Sequence, residues 1–168
     1  MKVSLKVNGK PVTIDVSPKK RLLDILHDDL GFISVKEGCG QGECGACTVL
    51  LNGRSVNSCL VPAFQADGSE VVTLEGLRQW SGYEDLERAY VEHGAVQCGF
   101  CLSGFVVSTV ALLKNNSEPL SEEEIKQGLA GNLCRCTGYT KIVAAVKDLA
   151  VHDEIKLKFE EEWPYGEK

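Results

Sequence analysis

The sequence predicts an α+β fold with a β-rich first half and a helical second half, and two observations support this prediction. Up to about residue 77, apolar and polar residues alternate in short runs that are separated by Asn-Gly turns, as in antiparallel hairpins. Beyond that point, apolar residues recur every three or four positions, the spacing of amphipathic helices. We therefore expect one domain over residues 1–77, a second over residues 78–151, and a C-terminal tail over residues 152–168.

The first half carries the signals of two hairpins and one helix. Asn8-Gly9 and Asn52-Gly53 are strong two-residue hairpin turns, and apolar positions at helical spacing predict a helix over residues 22–30 that ends at Gly31. The expected strands cover residues 2–8, 12–16, 48–51, 55–61 and 71–74. Two hairpins packed against one helix form a β-grasp arrangement, which is our prediction for this domain.

The second half carries the signals of four helices. Ser121 and Glu124 form a capping box that opens one of them, and Ser81-Gly82 is a turn signal close to the expected domain boundary. The helices are expected over residues 84–93, 102–114, 121–129 and 142–149. Four such segments suggest a small four-helix bundle. The segment beyond Val151 is charged, and we assign it no structure.

Composition and charge exclude several classes of protein. The 168 residues carry a formal net charge of −6, whereas nucleic-acid binding needs clustered Lys and Arg. The N-terminus alternates apolar and polar residues, unlike a signal peptide, and the longest apolar stretch, around residues 105–113, is too short to span a membrane. A cytoplasmic location is therefore expected. In that compartment thiols stay reduced, so a cysteine-rich pattern favours metal binding over disulfides.

The first of two cysteine groups has the spacing C-x4-C-x2-C, followed by a fourth cysteine across the next hairpin. Its members are Cys39, Cys44, Cys47 and Cys59. This is the plant-type ferredoxin spacing for a [2Fe–2S] cluster. The four glycines of the loop over residues 38–47 permit close backbone approach and free N–H groups to donate to sulfur. Structural zinc favours C-x2-C pairs, a phosphate loop ends in Gly-Lys-Ser/Thr, and disulfides at such close spacing would be strained, so these alternatives fit poorly.

The second cysteine group combines a C-x2-C pair with a C-x-C pair. Its members are Cys98, Cys101, Cys134 and Cys136. Both pairs lie near the N-termini of expected helices, where unpaired N–H groups and the helix dipole stabilise negative charge. An anionic cluster suits such a position. The spacing alone is less specific than that of the first group, and a zinc site remains a competing interpretation.

Three motifs together carry a resemblance to a known family: GCGQGECGAC at residues 38–47, QCGFC at residues 97–101 and GNLCRCTGY at residues 131–139. In this order and at these intervals, they resemble the iron–sulfur subunit or domain of the xanthine oxidase family of molybdenum hydroxylases. The likeness extends over residues 2–150, and no cysteine of the family pattern is missing.

The resemblance implies a plant-type ferredoxin-like N-terminal domain and a four-helix C-terminal domain, each holding one [2Fe–2S] cluster. The cluster of the helical domain would lie nearer a molybdopterin cofactor, and the other cluster would pass electrons onward to FAD or to another acceptor. Gln97 would hydrogen-bond to the pterin, and the sulfur of Cys136 would lie next to the amino group of the pterin. From its position alone, Gln97 is better interpreted as a residue at a helix N-terminus that points to water.

The resemblance also implies partners, because molybdopterin and FAD would reside on other chains. These are a large molybdopterin-binding subunit and a medium FAD-binding subunit, assembled as a dimer of heterotrimers or of heterodimers. The chain would be the electron-transfer subunit of a molybdenum-containing oxidoreductase, without a substrate-transforming site of its own. Its three histidines, His27, His93 and His152, are scattered, and no catalytic pairing stands out. The alternatives from other classes are a stand-alone ferredoxin or redox sensor and a zinc-held interaction module.

Overall fold

The computed structural model describes residues 1–116 and 118–166, and its first half is built on one mixed sheet. The strands are β1 (Lys2–Val7), β2 (Lys10–Asp15), β3 (Thr48–Leu51), β4 (Arg54–Asn57) and β5 (Glu70–Val72). They lie in the order β2-β1-β5-β3-β4, with β1 and β5 parallel and the other neighbouring pairs antiparallel. The two hairpins confirm the Asn-Gly prediction. Both turn residues have positive φ in each case, 49° and 79° at Asn8-Gly9 and 49° and 78° at Asn52-Gly53.

Three features of this half differ from the sequence-based expectation. β4 ends at Asn57 because residues Ser58–Leu60 form a 3₁₀ turn, and β5 stops before Leu74, which begins a helix. The expected helix over residues 22–30 is a short α-helix, α1 (Leu22–Asp24), that continues as a π-helical turn over Ile25–Asp29. The wider turn accompanies close packing, since the apolar side chains of this segment are almost completely buried against the sheet.

The second half is helical, as expected, but it holds more helices than the sequence indicated. The helices are α2 (Leu74–Leu77), α3 (Tyr83–Glu92), α4 (Leu102–Lys114), α5 (Glu122–Gly128), α6 (Thr140–Val151) and α7 (Asp153–Glu161). The capping box at Ser121 is present, with the Glu124 amide donating to the Ser121 hydroxyl and the Glu124 carboxylate accepting from the Ser121 amide. Within the described residues, no helix has the length and apolar character that crossing a membrane requires.

α7 corrects the expectation for the segment beyond Val151, to which we assigned no structure; residues 167 and 168 of the expected tail over residues 152–168 lie outside the described residues. The helix buries only Ile155 and Phe159, so its apolar stripe is too narrow to recognise among the charged residues. Phe159 stacks on Trp80 with ring centroids 4.4 Å apart, and Trp163 meets the edge of Trp80 at 5.3 Å. The hydroxyl of Tyr165 donates to the carbonyl of Gly76 at 2.7 Å. The segment after α6 is therefore packed against the helical half through aromatic side chains.

The sheet separates two hydrophobic clusters. Successive residues of a strand point to opposite faces, so Val49 and Val71 belong to the cluster with α1, whereas Leu50 and Val72 belong to the cluster with the helical half. Polar contacts also join the halves, because the hydroxyl of Ser103 in α4 donates to the carbonyl of Ser34 at 2.7 Å. This packing places the two cysteine groups on adjoining loops.

Candidate metal centres

The first cysteine group lies on the loop that precedes β3 and on the 3₁₀ turn that follows β4. All four thiols are free; Cys39 and Cys44 are half-buried, and Cys47 and Cys59 are buried. The loop curls tightly enough that a Cβ added to Gly38 would lie 2.8 Å from the sulfur of Cys44. A side chain at this position would therefore displace the thiol of Cys44.

Within this group, the sulfurs face each other in two pairs that differ in environment. Cys39 interacts with Cys44, and the backbone amides of Gln41 and Glu43 lie 3.5 and 3.3 Å from the Cys39 sulfur. These amides lower the pKa of the Cys39 thiol to about 7, because they stabilise the thiolate. Cys59 faces Cys47, and burial raises the pKa of the Cys59 thiol to about 11, with the neighbouring thiol adding to the effect.

The second group is formed by the loop before α4 and the loop between α5 and α6. The sulfurs of Cys98 and Cys136 lie 3.6 Å apart, and Cys101 faces Cys134. Cys98 and Cys136 are exposed, whereas Cys101, the N-cap residue of α4, and Cys134 are half-buried. Burial raises the pKa of the Cys101 thiol to about 12. The two predicted motifs are therefore brought together although they lie far apart in the sequence.

Thr137 and Tyr139 shape the second group, and spacing of cysteines alone did not single them out. Burial disfavours the Cys134 thiolate, but the Thr137 hydroxyl at 3.1 Å and amide at 3.4 Å outweigh it and lower the pKa of that thiol to about 7. The Tyr139 hydroxyl accepts a hydrogen bond from the Cys134 amide at 3.0 Å. Tyr139 has φ of 69°, an uncommon conformation for a bulky residue that marks a constrained loop. The signal in the sequence was the Thr-Gly-Tyr that follows the last cysteine.

Exposed apolar side chains flank the outer cysteines of the second group. Gln97, which precedes Cys98, is itself exposed and lines one small cavity together with Cys98 and Cys136. The exposed apolar residues near these cysteines in sequence are Val96, Phe100, Leu133 and Tyr139. Single exposed apolar residues are ordinary, but a set of them around exposed thiols marks a surface suited to a protein partner.

The three histidines lie apart from the cysteine groups and make local contacts. A ring nitrogen of His27 lies 2.7 Å from the carbonyl oxygen of Val35. His93 and His152 both approach the carboxylate of Asp148, at 3.6 and 3.3 Å. Within residues 1–116 and 118–166, no three or more His, Cys, Asp or Glu side chains surround a point that a single ion would occupy.

Comparisons with known proteins agree with the division into two cysteine groups. One family model, a 2Fe-2S iron-sulfur cluster binding domain, matches residues 5–74, and a second, a [2Fe-2S] binding domain, matches residues 73–147. The nicotinate dehydrogenase small FeS subunit of Eubacterium barkeri is 50% identical over 145 residues, which cover 86% of this chain and 92% of that subunit. The xanthine dehydrogenase iron-sulfur-binding subunit of Escherichia coli O157:H7 is 46% identical over 147 residues, 87% of this chain and 92% of that subunit.

Solved structures give the same result for the fold. A chain of quinoline 2-oxidoreductase from Pseudomonas putida 86 superposes with a TM-score of 0.86 at 39% identity, covering 97% of this chain and 98% of that one. The aldehyde oxidoreductase of Desulfovibrio desulfuricans matches with a TM-score of 0.83 at 41% identity, over 95% of this chain and 18% of the longer enzyme. The chain therefore belongs to the small [2Fe–2S] subunits of the xanthine oxidase family of molybdenum hydroxylases.

Proposed function

We propose that this chain is the electron-transfer subunit of a molybdenum hydroxylase complex and that it holds two [2Fe–2S] clusters. The first cluster would be bound by Cys39, Cys44, Cys47 and Cys59, and the second by Cys98, Cys101, Cys134 and Cys136. One observation carries the proposal: eight free thiols form two separate groups, and within each group the sulfurs face each other in pairs.

The paired arrangement supports a two-iron centre over a single zinc ion. A [2Fe–2S] cluster takes four cysteines, and each of its two irons takes two of them. Its four cysteine sulfurs therefore lie in two pairs, whereas a single zinc ion would need all four around one point. Two thiolates on one tetrahedral metal with metal–sulfur bonds of roughly 2.3 Å lie roughly 3.8 Å apart whether the metal is iron or zinc, so this spacing separates a metal site from a disulfide. The separation of 3.6 Å between the sulfurs of Cys98 and Cys136 agrees with this value. It is far longer than the roughly 2 Å of a disulfide.

The residues around the sulfurs suit the chemistry that such a cluster supplies, which is the uptake and release of one electron at a time. Backbone amides at Cys39 and the Thr137 hydroxyl and amide at Cys134 stabilise negative charge on sulfur. Hydrogen bonds of this kind, together with burial, help to set the reduction potential of an iron–sulfur centre. The proposed role of the chain is thus to hold and tune two one-electron carriers.

The exposed second group supports contact with a large molybdopterin-binding subunit. Cys98 and Cys136 reach the surface beside the exposed Gln97, which leaves the Gln97 amide available to hydrogen-bond a pterin on that subunit. Electrons would then pass through the first group to FAD on a medium subunit, in a cytoplasmic complex that forms a dimer of heterotrimers or of heterodimers. The relatives named above as subunits of nicotinate and xanthine dehydrogenases support an assembly of separate chains.

We further propose that the two centres define the domains, with a β-grasp domain over residues 1–77 and a helical domain over residues 78–151. The two hydrophobic clusters support this division, although the helical cluster also includes Leu50 and Val72 of the sheet. Helices α3 to α6 would form the four-helix unit, since α6 packs against both α3 and α5, and α4 packs against α5. α7 and the aromatic segment that follows it would be an addition to that unit.

The test is purification of the chain from its natural host in complex with its partners. We expect a red-brown protein with about four irons for this chain. Each [2Fe–2S] cluster takes four cysteines, so the two cysteine groups would hold two clusters of two irons each. We also expect a co-purifying polypeptide that contains molybdenum, and a flavoprotein. A colourless chain that contains zinc would contradict the proposal, and an iron-containing chain without a molybdenum partner would favour the stand-alone ferredoxin.

A further inference from the structure

The two cysteine groups meet at a seam, formed by residues 44–48 of the first group, the start of α4 and residues 131–134 of the second group. At this inter-site seam, the backbone amide of Leu133 donates to the carbonyl of Cys44 at 2.9 Å. Leu133 directly precedes Cys134. A single hydrogen bond therefore joins a cysteine of the first group to a cysteine of the second through backbone atoms alone.

The side chain of Asn132 holds this seam closed. It is only 4% exposed, and its amide nitrogen donates to the carbonyl of Gly45 at 3.1 Å and lies 3.4 Å from the hydroxyl of Thr48. The carbonyl of Gly45 is itself fixed, because it also accepts from the Thr48 hydroxyl at 2.6 Å and from the Thr48 amide at 3.2 Å. Asn132 thus anchors the residue before Leu133 to the residue after Cys44.

The packing around Asn132 leaves no room for additional side-chain atoms. Gly45 has φ of 70°, and a Cβ built on it would collide with the side-chain nitrogen of Asn132 and with the carbonyl of Gly131. A Cβ built on Gly104 of α4 would collide with the carbonyl of Gly45. The three segments of the seam are therefore in close contact, and their buried polar groups form hydrogen bonds with one another.

We infer that Asn132 is a positioning residue that fixes the coupling between the two centres by keeping the hydrogen bond from Leu133 to Cys44 closed. The inference rests on the proposed function, because it needs a centre at each group. The coupling serves the transfer of one electron between the two centres. The reduced centre is oxidised, the other centre is reduced, and no proton moves. Electrons tunnel more readily through bonds and hydrogen bonds than across a gap, so a seam that opens would weaken the exchange.

The test compares the wild-type complex with an Asn132→Ala variant, both fully reduced with dithionite. The readouts are the splitting of the electron paramagnetic resonance signals that arises when two reduced centres interact, the midpoint potential of each centre, and hydrogen exchange of the Leu133 amide. We expect the splitting to shrink and both midpoint potentials to stay unchanged. The Leu133 amide should exchange about tenfold faster, the order of effect expected from losing a buried hydrogen bond.

Two further variants separate coupling from a purely structural role. Asn115→Ala is the matched control, because the Asn115 amide also donates to a backbone carbonyl, that of Ala111 at 2.8 Å, at the opposite end of α4 from the seam. It should keep the wild-type splitting. A backbone ester at Leu133 removes only the N–H that donates to Cys44, keeps every side chain, and should shrink the splitting even where Asn132→Ala fails to bind its clusters.

The outcomes distinguish this inference from the proposed function. Wild-type splitting in the ester variant, with both centres present, would overturn the role of the seam, as would an equal loss of splitting in Asn115→Ala. A wild-type chain that contains no iron would instead overturn the proposed function on which the inference rests.

Discussion

Replacing Gly104 with alanine tests how closely the two halves of the chain must pack. Gly104 lies in α4, where alanine would normally add about 1 kcal/mol to helix stability. Here the added methyl group would collide with the carbonyl oxygen of Gly45, a backbone atom held by several hydrogen bonds. Overpacking typically costs about 1–3 kcal/mol, and losing the hydrogen bond from Asn132 to Gly45 costs about 1 kcal/mol more. The expected net loss of unfolding free energy is about 2 kcal/mol.

The assay is thermal unfolding of the iron-loaded protein, followed by visible absorbance at one fixed heating rate. For a protein of this size, a loss of about 2 kcal/mol lowers the midpoint by roughly 4–8 °C. Gly128→Ala is the matched control, because the nearest atom to its added Cβ is the flexible side-chain end of Leu112, at 2.7 Å. That variant should melt within about 2 °C of wild type. Equal midpoints for Gly104→Ala and Gly128→Ala would refute the claim that the seam is closely packed.

Three other substitutions address the capping box, the half-buried carboxylate of Glu75 and the second cysteine group. Ser121→Ala removes the N-cap of α5, so the thermal midpoint should fall by roughly 2–4 °C for a loss of about 1 kcal/mol; an unchanged midpoint would contradict the cap. Burial disfavours ionised Glu75, but hydrogen bonds from Ser34 and Thr73 outweigh it and lower the pKa of that carboxyl. Its stabilising contribution is therefore present at neutral pH and lost as pH falls through the lowered pKa, so Glu75→Gln should destabilise the protein at pH 7 and flatten the acid limb of a stability–pH profile. A wild-type acid limb would oppose this assignment. Tyr139→Phe leaves the Cys134 amide without its acceptor, so a chelator should remove iron from the second group faster in the variant than in wild type; equal rates in the two proteins would contradict that role.

Local chemistry explains which parts of the fold were predictable. The Asn8-Gly9 and Asn52-Gly53 turns followed from two residues each, because few other pairs adopt positive φ at both positions. The bounds of α4 agreed with the apolar spacing over residues 102–114, and the Ser121 capping box marked the start of α5. In each case the determining contacts lie within a few residues in sequence.

The features that were missed depend on distant residues. α7 buries two apolar residues, and its packing partner Trp80 lies in a different part of the chain, so no local pattern revealed it. The π-helical turn after α1 reflects packing against the sheet, which the spacing of leucines does not report. Asn132 was visible only as a member of the motif at residues 131–139, and its role at the inter-site seam depends on the path of the first cysteine loop.

Exposure decreases from the second group to the first, and this gradient bears on how assembly would affect the two centres. In the second group two thiols are exposed and two are half-buried, whereas in the first group two are half-buried, Cys39 and Cys44, and two are buried, Cys47 and Cys59. Solvent access is one of the determinants of the potential of an iron–sulfur centre. A partner that covers the surface around Cys98 and Cys136 would therefore change the environment of the second centre. The environment of the buried Cys47 and Cys59 would stay almost unaltered. Assembly would then adjust the difference in potential between the centres, while the seam keeps their separation constant.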